Sequence, residues 1–464
     1  MKFINRHNEL SALEDRFRKN QSEFFIVYGK RRVGKTELIK QFIKDKPSAY
    51  FLADKRSMKL QLQEVGRIIG EQFNDEVLMR AGFEEWLEVF QYLGKHVRPN
   101  KPFIFAIDEY PYLVEIDKSI SSIFQKGWDE YLKNSGVCFI LSGSSIAMME
   151  SETLIYTAPL YGRRTGQLLL TPLSFTQAHE FFPATSFQEF LSIFTIMGGM
   201  PAYLLQYHAH KSRQENMRDA IFEKTAFLHN EVEFTLKEEL REPKQYMAII
   251  EAIAKGCAQF GHISNATGLE KNTLTKYLHV LQKLQLIARE VPVSEKHPQK
   301  SRKSIYTISD QFFRFWFRFV YPYKSDIEIG RLNEVEKKLH EEFSLLESVT
   351  HEQICRDDLV NQYSKQLFPF ERVGRWWNND EEIDIVALNT PTDSVLFAEC
   401  KWSNKAVGTN VYDDLKRKAA LVDFGSMNRK EYYALFSKSG FTKAMIEKAK
   451  KEKVLLIEED RLLK

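Results

Sequence analysis

Residues Gly29 to Thr36 read GKRRVGKT, the pattern G-x-x-x-x-G-K-S/T that cradles phosphates. The two glycines let the turn aim backbone N–H groups at phosphate oxygens, and the dipole of a helix starting near Lys35 adds positive potential. In such a loop Lys35 reaches the β- and γ-phosphates and the Thr36 hydroxyl ligates Mg²⁺. Gly29, Arg32, Val33, Gly34 and Glu37 complete the expected nucleotide contact. A second set of reactive groups closes the apolar run Pro102 to Ile107, namely Asp108 and Glu109. Asp108 is suited to hold Mg²⁺ through water, and Glu109 to orient and deprotonate an attacking water. ATP and Mg²⁺ are the expected cofactors.

Softer candidates follow. The run Val137 to Leu141 ends in Ser142-Gly143-Ser144-Ser145, where a small hydroxyl could touch the γ-phosphate or the attacking water. Ser142 is the first choice and Ser144 the second; a plain Ser-Gly turn is the alternative. Arg163 and Arg164 form a pair on a loop. They could act as an arginine finger, within the chain or in a neighbouring copy, or simply occupy a surface turn.

Near the other end, Asp384 lies on one expected strand and Glu399 and Lys401 on the next. Alternation puts Glu399 and Lys401 on one face, and a hairpin could bring Asp384 beside Glu399. Two carboxylates with a lysine in reach can hold a divalent metal that activates water against a phosphodiester. Glu352 could supply a third carboxylate. The alternative is a half-exposed strand that alternates charges for solubility.

These groups need positioning elements. Phe24 to Val27 reads as a strand, and Leu38, Ile39 and Phe42 recur at helical spacing, so the glycine-rich loop joins strand to helix. A second strand is expected at Ser48 to Leu52. The apolar runs before Asp108 and Ser142 read as strands buried on both faces, as in a parallel sheet, and ligands gather at the carboxyl ends of such strands. Helical repeats near Tyr246, Ile263 and Asn272, then strands at Leu286 to Val293 and Ser304 to Ile308, make a winged helix-turn-helix. Its third helix offers Lys271, Asn272, Thr273, Thr275 and Lys276 to a major groove, and its loop offers Lys296, Lys300, Arg302 and Lys303 to phosphates. The aromatic run from Phe312 reads as a packed joint, and a charged helix is expected near Glu334 to Phe343.

The bulk numbers are compatible with this. A chain of 464 residues exceeds one hydrophobic core, and 43% hydrophobic with 28% charged residues describes an ordinary globular protein. A net charge of +3 is too small to announce nucleic acid by itself. The cysteines Cys138, Cys257, Cys355 and Cys400 lack C-x-x-C spacing, which argues against zinc or a disulfide framework and suits a reducing compartment. No run suits a signal peptide or a bilayer span. A cytoplasmic location without membrane contact is expected.

The order GKRRVGKT, FIFAIDEY, FILSGSS, LYGRR and GGMPAYL from Gly198 to Leu204 resembles the archaeal-type ATPases of the AAA+/STAND class of P-loop NTPases. In that family the GGxPxYL segment opens the lid, which implies Pro201 near the adenine; an entry segment matching Phe3, Arg6 and Leu10 also lies beside it. The order Glu352, Asp384, Glu399-x-Lys401 resembles the PD-(D/E)xK nucleases, which the family carries at its C-terminus. The resemblance implies Asp384 and Glu399 as metal ligands, Glu352 as an accessory ligand and Lys401 as a group positioning the nucleophile. Ile383 stands where many of these nucleases have proline. The expected architecture is multidomain α/β: a P-loop AAA+-like parallel-sheet core at 1–185, a helical lid at 186–242, a winged helix at 243–310, an aromatic and charged linker at 311–345, and a restriction-endonuclease-like α/β domain at 346–464. Double-stranded DNA is the expected partner, with homo-oligomerisation left open. ATP hydrolysis is the expected activity, coupled to DNA binding and to metal-dependent cleavage, or else to a switch that does not cut.

Overall fold

The computed structural model describes residues 3–240 and 242–463. Residues 1–2 and 464, at the ends of the first and last domains drawn above, and residue 241 of the lid lie outside the described residues. The chain divides into two units: one runs up to Pro172 and takes in Met200–Ala202, and the other comprises Leu173–Gly199 and the chain from Tyr203 onward.

In the first unit β1 (Glu23–Gly29), β2 (Ser48–Leu52), β3 (Phe103–Asp108), β4 (Val137–Gly143) and β5 (Gly166–Leu170) form a sheet of order β2-β3-β4-β1-β5, with every pairing parallel. Every residue of β1, β3 and β4 is buried, which is why these strands are apolar throughout rather than alternating. β4 lies between β1 and β3, so the Ser142–Ser145 turn falls between the glycine-rich loop and the Asp108–Glu109 pair. The edge strand β5 escaped the sequence reading because it is short and only part-buried. It explains Gly29, where a Cβ would lie 2.3 Å from the Leu170 carbonyl oxygen.

The second unit opens with the helices Phe175–His179 and Phe187–Met197. Three helices, Pro243–Ala254, Phe260–Thr267 and Lys271–Lys283, then precede the antiparallel pair β6 (Ile287–Glu290) and β7 (Ile305–Ile308). Ile263, Leu274, Leu278 and Leu281 are buried there, while Lys271, Asn272, Thr275 and Lys276 and the loop residues Lys296, Lys300, Arg302 and Lys303 are exposed. Phe312, Phe313, Phe315, Trp316, Phe317 and Phe319 are all buried, as a packed joint requires.

One expectation is corrected. The charged helix near residue 334 and the helix carrying Glu352 are a single helix, Asn333–Asp357, which crosses the boundary drawn at 345. Its buried positions Val335, Leu339, Phe343, Leu346, Thr350 and Ile354 keep helical spacing throughout, and no glycine or proline interrupts them. The last sheet has order β13-β12-β11-β10-β9-β8, from β8 (Arg372–Asn378), β9 (Glu381–Asn389), β10 (Ser394–Lys401), β11 (Lys430–Ser437), β12 (Leu455–Glu458) and β13 (Arg461–Leu462). β8, β9 and β10 are antiparallel neighbours, and β10, β11 and β12 are parallel. No helix among the described residues is long and apolar enough to cross a membrane.

Candidate functional site

Gly34 takes a left-handed backbone (φ 99°) and hands the chain to the helix Lys35–Ile43. Leu38, Ile39 and Phe42 bury that helix's inner face, so Lys35 and Thr36 start it at the carboxyl edge of the sheet. The Lys35 ammonium, 5% exposed, donates to the carbonyls of Gly29 and Lys30 at 3.0 Å each. The Thr36 hydroxyl donates to Asp108 Oδ2 at 2.6 Å. Asp108 is fully buried, and its Oδ2 also accepts from the Tyr50 hydroxyl at 2.9 Å. A hydroxyl and a buried carboxylate in contact form the oxygen donor set of a hard divalent cation, so Thr36 and Asp108 fit Mg²⁺.

Glu109 follows with a left-handed backbone (φ 56°), an uncommon conformation for a glutamate that costs strain and is found at functional sites. Its Oε2 accepts from the Ser144 hydroxyl at 2.8 Å and from the Ser144 N–H at 3.3 Å. The second-choice serine therefore touches Glu109. The first choice, Ser142, is fully buried; its hydroxyl has no hydrogen-bond partner, while its carbonyl accepts from the Tyr110 N–H at 2.8 Å. The strand end is the cause: Ser142 still lies within β4, paired with Val27 of β1 inside the sheet, whereas Ser144 lies past Gly143, where the chain has left the strand.

Two contacts were missed. Tyr50, on β2, holds Asp108, and the phenol is pushed well up by burial and by that carboxylate. Arg6 donates to the carbonyls of Val33 at 3.0 Å and Thr171 at 2.7 Å, tying the glycine-rich loop to the end of β5. No sequence signal shows Tyr50, whose role depends on β2 lying beside β3. Pro201 stands near the loop, its Cγ 3.9 Å from where a Cβ on Gly34 would be. Arg163 grips Asp129, with Nη2 to Oδ2 at 3.0 Å. Arg164 donates to Gln167 at 2.8 Å and to the Thr153 carbonyl at 3.1 Å. Neither is brought onto Thr36, Asp108 or Glu109.

In the last sheet, Asp384 Oδ2 accepts from the Cys400 N–H at 2.8 Å, which joins β9 to β10 just beyond the pair Ala398–Ile385. Glu399 Oε1 accepts from Lys401 Nζ at 2.8 Å, and Lys418 Nζ approaches it to 3.9 Å. Lys418, on the helix Thr409–Ala419, was missed because only packing brings it there. Asp384 and Glu399 are 8% exposed, and burial pushes both carboxyls up, against the opposing Cys400 N–H for Asp384 and Lys401 for Glu399. Glu352 is pushed up to about 7 by burial and then by the charge of Asp384. Burial pulls the Lys401 ammonium down, but the charge and hydrogen bond of Glu399 together with the charge of Asp384 raise it overall.

Glu399 Oε2 is buried without a partner, and the oxygen set suits a hard cation in kind. Even so, among the described residues no three His, Cys, Asp or Glu side chains are grouped to hold an ion. Asp384 is turned to a backbone N–H, and Glu399 to the chain's own lysine.

Comparison with known proteins agrees with the first site. A family model described as an ATPase domain predominantly from Archaea matches residues 3–207. An uncharacterized protein of Methanocaldococcus jannaschii is 34% identical over 444 residues, covering 94% of this chain and 95% of that one. The chain belongs to the archaeal ATPase family. This archaeal ATPase also matches, over residues 316–415, a model described as archaea bacterial proteins of unknown function. An uncharacterized ATP-binding protein of Methanocaldococcus jannaschii is 50% identical over 44 residues, 10% of this chain and 75% of that protein. The Walker-type ATPase of Pyrococcus abyssi shares the fold, with a TM-score of 0.51 and 20% identity over 68% of this chain and 96% of that one.

Proposed function

We propose that this archaeal ATPase hydrolyses ATP at residues 29–36 and uses its nucleotide state to control DNA bound by the three-helix and hairpin module. The observation that carries the reading is the 2.6 Å contact of Thr36 with Asp108 beside the Ser144–Glu109 pair. Lys35 neutralises phosphate charge, with Gly29, Arg32, Val33, Gly34 and Glu37 shaping the loop around it. Thr36 and Asp108 hold Mg²⁺, which when bound screens the charge that develops on the phosphates. Glu109 takes the proton of the attacking water, and Ser144 orients its carboxylate. Pro201 borders the nucleotide. Arg163 or Arg164 would act as a finger only towards a neighbouring copy, since Asp129, Gln167 and Thr153 engage them in their own. Exposed Lys271, Lys276, Lys300 and Arg302 meet DNA phosphates; Asp384 and Glu399, with Glu352 as accessory, would hold a divalent metal that activates water against a phosphodiester, and Lys401 would position that water.

A second reading, a switch that binds DNA or a protein without cutting, is favoured by the direct Lys401–Glu399 ion pair. The deciding experiment is incubation of the purified protein with supercoiled and linear DNA, with Mg²⁺ or Mn²⁺, with and without ATP. Cutting that vanishes in Asp384→Asn and responds to Lys35→Ala supports the first reading. Intact ATP hydrolysis with no cutting in any condition supports the switch.

A further inference from the structure

Between the β6–β7 hairpin, the helix Asn333–Asp357 and β8, the second unit holds a cavity of about 750 Å³, within the size range of small-ligand pockets. Five arginines line it, and four of them are answered. Arg289 donates to the carbonyls of Pro298 and Ser301 at 2.9 Å each. Arg372 donates to the Val293 carbonyl at 3.2 Å. Arg375 pairs with Glu382 at 3.0 Å, and Arg356 with Asp357 at 3.0 Å.

Arg314 is answered only in part. Its Nη2 donates to two neutral groups, the Ile308 carbonyl at 2.6 Å and Gln353 Oε1 at 2.9 Å, while its Nη1 is buried without a hydrogen-bond partner. Burial first, and the like charge of Arg356 second, push this guanidinium down to about 10. A guanidinium nitrogen buried without a hydrogen-bond partner is costly, and a guanidinium fork matches phosphate oxygens two at a time. Val291, Val293 and Val373 give the cavity an apolar wall. Of the acidic groups there, Glu371 is taken by the Thr390 N–H at 2.9 Å, Glu290 by the Thr307 hydroxyl at 2.8 Å and Asp357 by Arg356, while Glu352 feels the charge of Asp384; Glu290, Asp310 and Asp357 oppose the fall of Arg314 through their charge.

We propose that this cavity is a second nucleotide site, separate from residues 29–36, which takes the phosphate of a free nucleotide between Arg314 and Arg356 and its base against the valine wall. The site depends on neither DNA binding nor cleavage. The free Nη1 of Arg314, in the aromatic run from Phe312, then has a ligand.

Equilibrium dialysis of the full chain against ADP tests this. Wild type should bind two equivalents, and Lys35→Ala and Arg314→Met one each. Arg314→Met should keep its ATP hydrolysis, which also reports that the variant folds. Arg356→Gln should weaken the second equivalent by at least about tenfold and serves if Arg314→Met does not fold. A single equivalent in wild type that disappears in Lys35→Ala overturns the proposal, as do two equivalents retained in folded Arg314→Met. In the Lys35→Ala chain, displacement of ADP by a 5′-phosphorylated duplex but not by its unphosphorylated twin would assign the phosphate to a DNA end and overturn the free-nucleotide assignment.

Discussion

At the ends of β3 and β4 the chain sets Asp108 against the hydroxyls of Thr36 and Tyr50, and Glu109 against Ser144. At the ends of β9 and β10 it sets Asp384 against a backbone N–H and Glu399 against Lys401. Hydroxyls and N–H groups orient a carboxylate while leaving its charge to be met by something added. A lysine meets that charge from within the protein. The first cluster is therefore arranged to recruit a cation, whereas the second already contains one beside carboxyls that burial pushes up. This difference suits the first cluster to handling phosphate through an added cation.

The comparison can be broken most directly at Lys35. Lys35→Ala should lower ATP turnover by roughly a hundredfold or more, measured as phosphate release, with the far-ultraviolet circular dichroism unchanged. Glu109→Gln should reduce turnover by about a hundredfold while ATP binding, followed with a fluorescent analogue, stays within about twofold. Equal loss of binding and turnover would show that Glu109 shapes the site rather than moving a proton.

The second cluster is sharpened by pH. Glu352 keeps its proton up to about 7 when folded and releases it near 4.5 when unfolded, so the folded state binds more protons between those values. Stability should fall as pH rises through that window and then level off for this group. The expected loss is on the order of 1–3 kcal/mol, read as the urea midpoint, and Glu352→Gln should flatten it. A slope unchanged in Glu352→Gln would remove the carboxyl from the account. The smallest effect separates two serines: Ser144→Ala should cost about tenfold in turnover, and Ser142→Ala about twofold or less.

Much of the first site was legible because its chemistry is local. Gly29, Gly34, Lys35 and Thr36 lie within one loop, and Asp108 and Glu109 end one apolar strand, so spacing alone reveals them. Ser142 was preferred to Ser144 because the end of β4 could be located only to within a residue or two, and that end falls between them, at Gly143. The long helix Asn333–Asp357 was read as two elements because charged residues interrupt the eye while its buried positions keep their period.

Residue order by itself determined the phosphate loop, the strand-end carboxylates, the order of elements and the Asp384, Glu399 and Lys401 set, since each rests on backbone propensity and periodicity over a few residues. Only the tertiary structure decided that β4 separates β1 from β3, that Tyr50 and Arg6 brace the first site, that Lys418 reaches Glu399, and that Arg314 lines a cavity with its Nη1 left without a hydrogen-bond partner. Those facts depend on which strands pair and which faces pack. Such choices are made by burial summed over residues far apart in the chain, and no short stretch of sequence carries them.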